Sequence, residues 1–227
     1  MPTGTAPAIR AVYFDIGETL LDRTREYAAW ASWLGVPAHT FSAVFGAMIA
    51  AGHPVRDVVA VFAPEPGFAE QRHAMTEAGV VPPLAEQDVY PDVRPALRAL
   101  RELGLRVGIA GNQPAGISDE LRDLDLPADE VRTSDDWHLA KPDPRFFTKI
   151  VEACHCPPDE IVYVGDQLAN DVTAAVDAGL RSVRLLRGPW GMLQRDPAVE
   201  ARCLAVVGSL TELPSLLGPL LARRAQH

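Results

Sequence analysis

From Val89 to Val207 the sequence keeps returning to one pattern: a short apolar run, a glycine or polar break, an amphipathic stretch, and another apolar run. Leu105–Ala110, Val131–Thr133, Ile161–Val164, Arg181–Leu186 and Leu204–Val207 are too short for helices and suit strands. Between them, helical periodicity begins near Tyr90-Pro91-Asp92, Ala115, Pro144, Asp171 and Leu210. Gly104 and Gly179 mark helix ends, and Pro144 suits a first helical turn. An earlier run, Ile9 to Phe14, broken only by Arg10, supplies one more strand. Strands alternating with helices require crossover connections, and each crossover must pack back onto the sheet it leaves. The expected fold class is therefore α/β, a parallel sheet with helices on both faces.

One segment departs from that rhythm. From Asp22 to Gln87 every apolar pattern is helical and no strand is expected. The stripes are Tyr27, Trp30, Trp33, Leu34, then Phe41, Val44, Phe45, Met48, Ile49, then Val55, Val58, Val59, Phe62. Thr40 is the expected N-cap of the second of these helices. Pro64-Glu65-Pro66-Gly67 breaks the pattern, and Phe68–Glu77 reads as a further helix. The stripes are expected to form the core of a small helical insert rather than a ligand box. The expected division is 1–21 and 88–227 for the sheet domain and 22–87 for the insert.

In an open parallel sheet, ligands bind beyond the carboxyl ends of the strands. Those ends carry Asp15, Gly111-Asn112, the loop around Lys141, and Asp166 with Asn170-Asp171. Asp15 on its own could be an ordinary turn residue. Set beside Asp166, it becomes a candidate nucleophile or ligand of a hard cation such as Mg²⁺, which prefers carboxylate oxygens. Asp171 is a third ligand or a group that orients one. Of 21 basic residues only Lys141 and Lys149 are lysines. Lys141, set before Pro142-Asp143-Pro144, either offsets the carboxylates and orients Asp15 or is a solvated surface lysine.

A net charge of −9 argues against a nucleic-acid surface. A phosphorylated substrate must then be met by local positive charge or by a metal. No apolar run approaches a membrane span, and the N-terminus lacks the pattern of a signal peptide. Three cysteines (Cys154, Cys156, Cys203) make no disulfide framework, so a cytoplasmic protein is expected. Cys154-His155-Cys156 has no second ligand pair and is a poor zinc site.

These strand-end residues, taken together, resemble the haloacid dehalogenase-like hydrolase family. Phe14-Asp15-Ile16-Gly17-Glu18-Thr19-Leu20 resembles its first motif, with Asp15 at the nucleophile position. Ile109-Ala110-Gly111-Asn112 falls at the second, Lys141-Pro142-Asp143-Pro144 resembles the third, and Val164-Gly165-Asp166 through Asn170-Asp171 the acidic fourth. The resemblance implies a Rossmann-like core with a cap inserted after the first motif. It implies an aspartyl intermediate at Asp15, usually aspartyl phosphate, and a Mg²⁺ held by Asp15, the Gly17 carbonyl, Asp166 and Asp171. The implied partner is a small phosphorylated molecule.

Two positions depart from the family pattern. Phosphatases of the family usually carry a second Asp two residues after the nucleophile, as acid and base; here it is Gly17. Such help is typically worth about 10²–10⁴ in rate. Glu18 is adjacent, but a shift of one residue usually points a side chain elsewhere. The second motif usually ends on a Ser or Thr that binds the phosphoryl group; here it is Gly111, leaving Asn112 N–H groups as candidate donors. A haloacid dehalogenase also lacks the second Asp, yet it needs no magnesium pair. A phosphonatase-like enzyme needs a cap lysine, and no lysine precedes Lys141. A slow or non-catalytic ligand-binding protein is the alternative of a different class. Arg23, Arg25, His39, His53, Arg56 and His73 are candidates for an anionic substrate tail, each otherwise surface charge. Trp30 and Trp33 are candidates for a cap–core or a dimer contact, and the oligomeric state is not readable.

Overall fold

The computed structural model describes residues 8–114 and 116–221. β1 (Ala11–Phe14) is followed by α1 (Thr24–Trp33), α2 (Ala38–Ala50), α3 (Val55–Phe62) and α4 (Phe68–Glu77). Then come α5 (Val93–Glu102), β2 (Arg106–Gly111), α6 (Ile117–Asp123), β3 (Glu130–Thr133), the short α7 (Ser134–Trp137) and α8 (Pro144–Cys154). β4 (Ile161–Gly165) leads into a π-helical turn, Leu168–Thr173, that continues as α9 (Ala174–Asp177). The chain ends with β5 (Arg181–Leu185), α10 (Gly188–Leu193), α11 (Pro197–Glu200), β6 (Ala205–Val207) and α12 (Leu213–Leu217).

The six strands form one parallel sheet in the order β3-β2-β1-β4-β5-β6. This is the Rossmann-like order, and its direction reverses between β1 and β4. Phe14 pairs with Ile109 on one side and Val164 on the other. The residues that follow these strands therefore emerge side by side where such sheets bind ligands. That is what brings Asp15 next to Asp166, although 151 positions separate them in the chain.

Alternate residues of each strand feed opposite faces. Val12, Phe14, Ile109, Val162, Val164 and Val183 pack with Val93, Leu97 and Leu100 of α5 and Leu213 and Leu217 of α12. Ala11, Tyr13, Ala110 and Tyr163 pack on the other side with Phe146, Phe147 and Ile150 of α8 and Ala174 and Ala175 of α9. Each fully buried Val, Leu, Ile or Phe among them stabilises the fold by roughly 1.5–3 kcal/mol. Helices on both faces are thus the observed arrangement.

The four helices α1–α4 enclose a separate cluster of Trp30, Phe41, Phe45, Ile49, Val58, Val59 and Met75. Trp30 stacks on Phe68 at 5.1 Å between ring centroids. The cluster is continued by Trp190 of α10, which meets Phe45 edge-on at 5.4 Å. The aromatic stripes form this core as their spacing predicts, except Trp33, which is 37 % exposed.

Local boundaries differ in four places. Helix α2 starts at Ala38 behind Pro37, so Thr40 lies inside the first turn instead of capping it. The helix expected from Asp171 begins at Leu168, because both Asp171 N and Val172 N reach back to the Gln167 carbonyl and widen the turn. The loop expected from Trp137 is preceded by α7, capped by Thr133 accepting from the Asp136 N–H. The C-terminal helix is broken into short pieces around Pro214 and Gly218-Pro219, since proline withholds an N–H. The expected start at Ala115 falls outside the described residues, and the helix runs from Ile117. No single helix among the described residues is long and apolar enough to cross a membrane.

Candidate active site

β1 ends at Phe14 and β4 at Gly165, so Asp15 and Asp166 stand on adjacent strand ends. The π-helical turn after β4 carries Asp171 back toward them. One carboxylate oxygen from each of the three lies within 4.8 Å of the others, and all three residues are buried. Gly165 permits this approach: a Cβ there would stand 2.3 Å from Asp171 Oδ2.

Lys141 reaches into this cluster from the loop after α7. Its Nζ donates to Asp15 Oδ1 at 2.6 Å and to Asp171 Oδ1 at 2.5 Å. The stem passes between aromatic rings, with Nζ 5.1 Å from the Tyr163 centroid and 6.0 Å from that of Phe146. Lys141 is 6 % exposed, which excludes the solvated surface lysine. Asn112 fixes its backbone: the Asn112 Nδ2 donates to the Lys141 carbonyl at 2.8 Å, and Oδ1 accepts from the Lys141 N–H at 2.8 Å. The Asn112 side-chain donor is thereby committed to the lysine loop.

The charges do not balance. Burial alone would push the Lys141 ammonium down, but Asp15 and Asp171 hold its pKa well above the usual value. Asp171 is pushed up to about 6 by burial, with Lys141 opposing. Its second oxygen accepts from the Gln167 N–H at 2.8 Å. Asp166 differs from both: neither of its oxygens has a hydrogen-bond partner, though it is fully buried. Burial, then repulsion from Asp171, Asp15 and Glu18, raises its carboxyl well above the ordinary range. Asp15, Asp166 and Asp171 offer closely spaced carboxylate oxygens that could hold a hard cation, which would offset the cost of burying Asp166 without a hydrogen bond.

The two departures from the family pattern have structural counterparts. At Gly111, a Cβ would stand 2.7 Å from Asp15 Oδ1 and 3.0 Å from Ile16 Cγ1. At Gly17, the Cβ position lies 2.9 Å from Arg23 Cδ and 3.5 Å from Arg23 Nη1. Arg23 therefore occupies the space into which a side chain at 17 would project. Glu18, buried and at φ 59, turns its carboxylate to the Tyr90 hydroxyl at 2.8 Å. Its pKa is raised by burial, with the Tyr90 hydrogen bond and Arg23 opposing.

The family model described as haloacid dehalogenase-like hydrolase matches residues 9–179. The chain belongs to the haloacid dehalogenase-like hydrolase family. It is 35 % identical over 104 residues to glyceraldehyde 3-phosphate phosphatase of Methanopyrus kandleri, covering 44 % of this chain and 45 % of that protein. It is 27 % identical over 224 residues to phosphoglycolate phosphatase of Pseudomonas savastanoi pv. phaseolicola, covering 90 % and 78 %. The chain spans about half the length of several curated relatives it matches. A crystal structure of a dehalogenase with an intermediate complex shares the fold at a TM-score of 0.67 and 22 % identity, covering 97 % of this chain and all of that one.

Of the residues the sequence singled out, this haloacid dehalogenase-like hydrolase brings Asp15, Gly17, Gly111, Asn112, Lys141, Asp166 and Asp171 to one end of the sheet. Arg23 and Arg25 join them, lining a pocket between core and cap with Gly17, Glu26, Arg72, Asp88 and Gln113. His39, His53, Arg56 and His73 do not: all four are exposed on cap helices or the turns between them. Cys154 and Cys156 are buried in the core while His155 points outward as the left-handed end of α8, so the three do not converge. Arg72, Gln113 and Tyr27 gave no sequence signal. They stand on an ordinary polar helix face, a loop and an aromatic stripe, and only the packing of cap on core aims them.

Proposed function

We propose that this chain is a Mg²⁺-dependent phosphatase of small phosphorylated molecules that works through an aspartyl phosphate at Asp15. The observation that carries the reading is the cluster of Asp15, Lys141, Asp166 and Asp171, in which Asp166 keeps both oxygens bare. The names of the phosphatase relatives support the substrate class. The donor set is all oxygen and suits a hard cation better than a soft one. Asp15, Asp166 and the Gly17 carbonyl are the groups that would hold Mg²⁺, with Asp171 tied to Lys141 as the orienting carboxylate. When bound, the ion would neutralise charge on the phosphoryl oxygens.

The protein groups do the rest. Lys141 holds Asp15 in one orientation and offsets its charge, so that the second oxygen is free to attack phosphorus. Asn112 keeps Lys141 in place through its peptide. The burial of the cluster makes each of these interactions stronger than in water. The cap, residues 22–87, closes over the strand ends of a core formed by 1–21 and 88–227, and supplies the walls of the substrate pocket. Free thiols at Cys154, Cys156 and Cys203 fit a cytoplasmic setting. The test is hydrolysis of an aryl phosphate with and without Mg²⁺, beside Asp15→Asn. Turnover that needs the metal and vanishes in the variant is expected. Equal turnover in the variant would overturn the reading.

A further inference from the structure

The family's usual acid is missing at Gly17, and the space it would use is filled. The guanidinium of Arg23 stands over that position, with Nη1 3.5 Å and Nε 3.7 Å from where a Cβ would be. It is not a loose surface arginine. Nε and Nη2 both donate to Glu26 Oε2, at 2.8 and 2.6 Å, and the second oxygen of Glu26 takes Arg72 at 2.6 Å. Two arginines share one carboxylate, so the bracket keeps a net positive charge. The guanidinium also lies 5.4 Å from the Tyr27 ring centroid. Among the described residues Arg23 Nη1 has no hydrogen-bond partner, and Arg23 lines the pocket with Gly17, Gln113 and Ile117. Tyr27 adds a second unpaired donor, since its hydroxyl is buried without a partner in the field of Asp166 and Glu18.

We propose that Arg23 binds the departing oxygen of the substrate through Nη1, as a fixed cation in the place of the missing proton donor. This rests on the phosphatase reading above. Asp15 attacks phosphorus, the bond from phosphorus to the ester oxygen breaks, and that oxygen leaves with the electron pair. Its negative charge develops against the Arg23 guanidinium and is then quenched by a proton from water. The resulting hydroxide or a second water attacks the phosphorus of the aspartyl phosphate, which frees phosphate and restores the Asp15 carboxylate. Arginine cannot give up a proton at neutral pH, so its contribution is charge, not acid catalysis. The substrates served best are esters whose leaving oxygen holds negative charge poorly and therefore gains most from the cation.

The experiment compares Arg23→Ala and Arg23→Lys with the wild type on two substrates, an alkyl phosphate and 4-nitrophenyl phosphate, with Mg²⁺ present. The readout is the ratio of the two kcat/KM values, which a change in the folded fraction does not move. Arg23→Ala is expected to lose about 10²–10³-fold on the alkyl ester, the scale of losing one preorganised donor to a developing oxyanion. On the aryl ester the expected loss is about tenfold or less, because that leaving group is stable without help. Arg23→Lys is expected to restore part of the ratio. Equal losses on both esters, with Asp15-dependent turnover intact, would overturn this assignment and leave the phosphatase reading standing. Absence of Asp15-dependent turnover on either ester in the wild type would remove both.

Discussion

Asn112 grips Lys141 by both polar atoms of its own amide, one hydrogen bond to the Lys141 carbonyl and one from the Lys141 N–H, each 2.8 Å long. The two residues belong to different strand-end loops, and the pair fixes how the lysine enters the carboxylate cluster. Asn112→Ala should therefore act through Lys141. Loss of two partly buried hydrogen bonds is expected to cost about 1–2 kcal/mol of stability. Activity is expected to fall about 10–100-fold, chiefly in kcat, as when a group that orients a catalytic residue is removed. Denaturant unfolding and steady-state kinetics of the one variant check both figures.

Asp166 is a buried carboxylate with no partner on either oxygen. In metal-free protein, Asp166→Asn is expected to stabilise by about 1–3 kcal/mol, since it removes a charge that burial penalises and keeps the shape. Mg²⁺ is expected to raise the melting temperature of the wild type and to leave that of the variant unchanged. Thermal unfolding with chelator and with added Mg²⁺ separates the two effects.

The same carboxylate gives a pH signature. Burial and its acidic neighbours raise Asp166, so the folded metal-free protein holds its proton more tightly than the unfolded chain. The stability it contributes is complete below the unfolded carboxyl range, about pH 4, and is lost as pH rises through its folded value. Other carboxylates, Asp92 and Asp136 among them, are lowered by their arginine partners and act in the opposite sense. The informative quantity is therefore the difference between Asp166→Asn and the wild type, which is expected to widen in favour of the variant from about pH 4 upward. A difference that shrinks over that range would contradict the assignment of an unpaired acid.

Gly111 stands at the end of the second motif, where the family pattern has a hydroxyl side chain. Here a Cβ would meet Asp15 Oδ1 at 2.7 Å, and that oxygen cannot move aside freely because Lys141 holds it. Gly111→Ser is expected to destabilise by about 1–3 kcal/mol, the usual cost of overpacking, and to lower activity instead of improving it. A gain in kcat would show that Asp15 tolerates another position.

Gly17→Ala tests the neighbouring contact. Its methyl group would stand 2.9 Å from Cδ and 3.5 Å from Nη1 of Arg23, which Glu26 holds, so the fold is expected to lose about 1–3 kcal/mol, the usual cost of overpacking. The guanidinium must shift, and the alkyl-to-aryl ratio of kcat/KM is expected to fall in the same direction as in Arg23→Ala. An unchanged ratio would separate Arg23 from the place held open by Gly17.

Asp15, Lys141, Asp166 and Asp171 are readable because each lies near a strand end or beside a turn signal, and a parallel sheet brings strand ends together whatever lies between them. The two central strands, apolar on both faces, carried the same information for the fold. Arg23 was readable only as one of several basic residues. Its meaning lies in the absence of a side chain at Gly17 and in the grip of Glu26, and neither contact has a spacing rule. Asn112 showed its position but not its partner, because the partner is a peptide group, which every residue has. Thr40 lies within the first turn because Pro37 already turns the chain into the helix, and a proline at that place leaves no side-chain cap to recognise.

The central claim is that Asp15 becomes covalently phosphorylated. The most direct measurement is mass spectrometry of the protein quenched in acid during turnover of an aryl phosphate with Mg²⁺, followed by peptide mapping. The expected result is one added phosphoryl group on the peptide that carries Asp15, absent from Asp15→Asn. Turnover without that adduct under conditions that trap acyl phosphates, or the adduct on another residue, would contradict it.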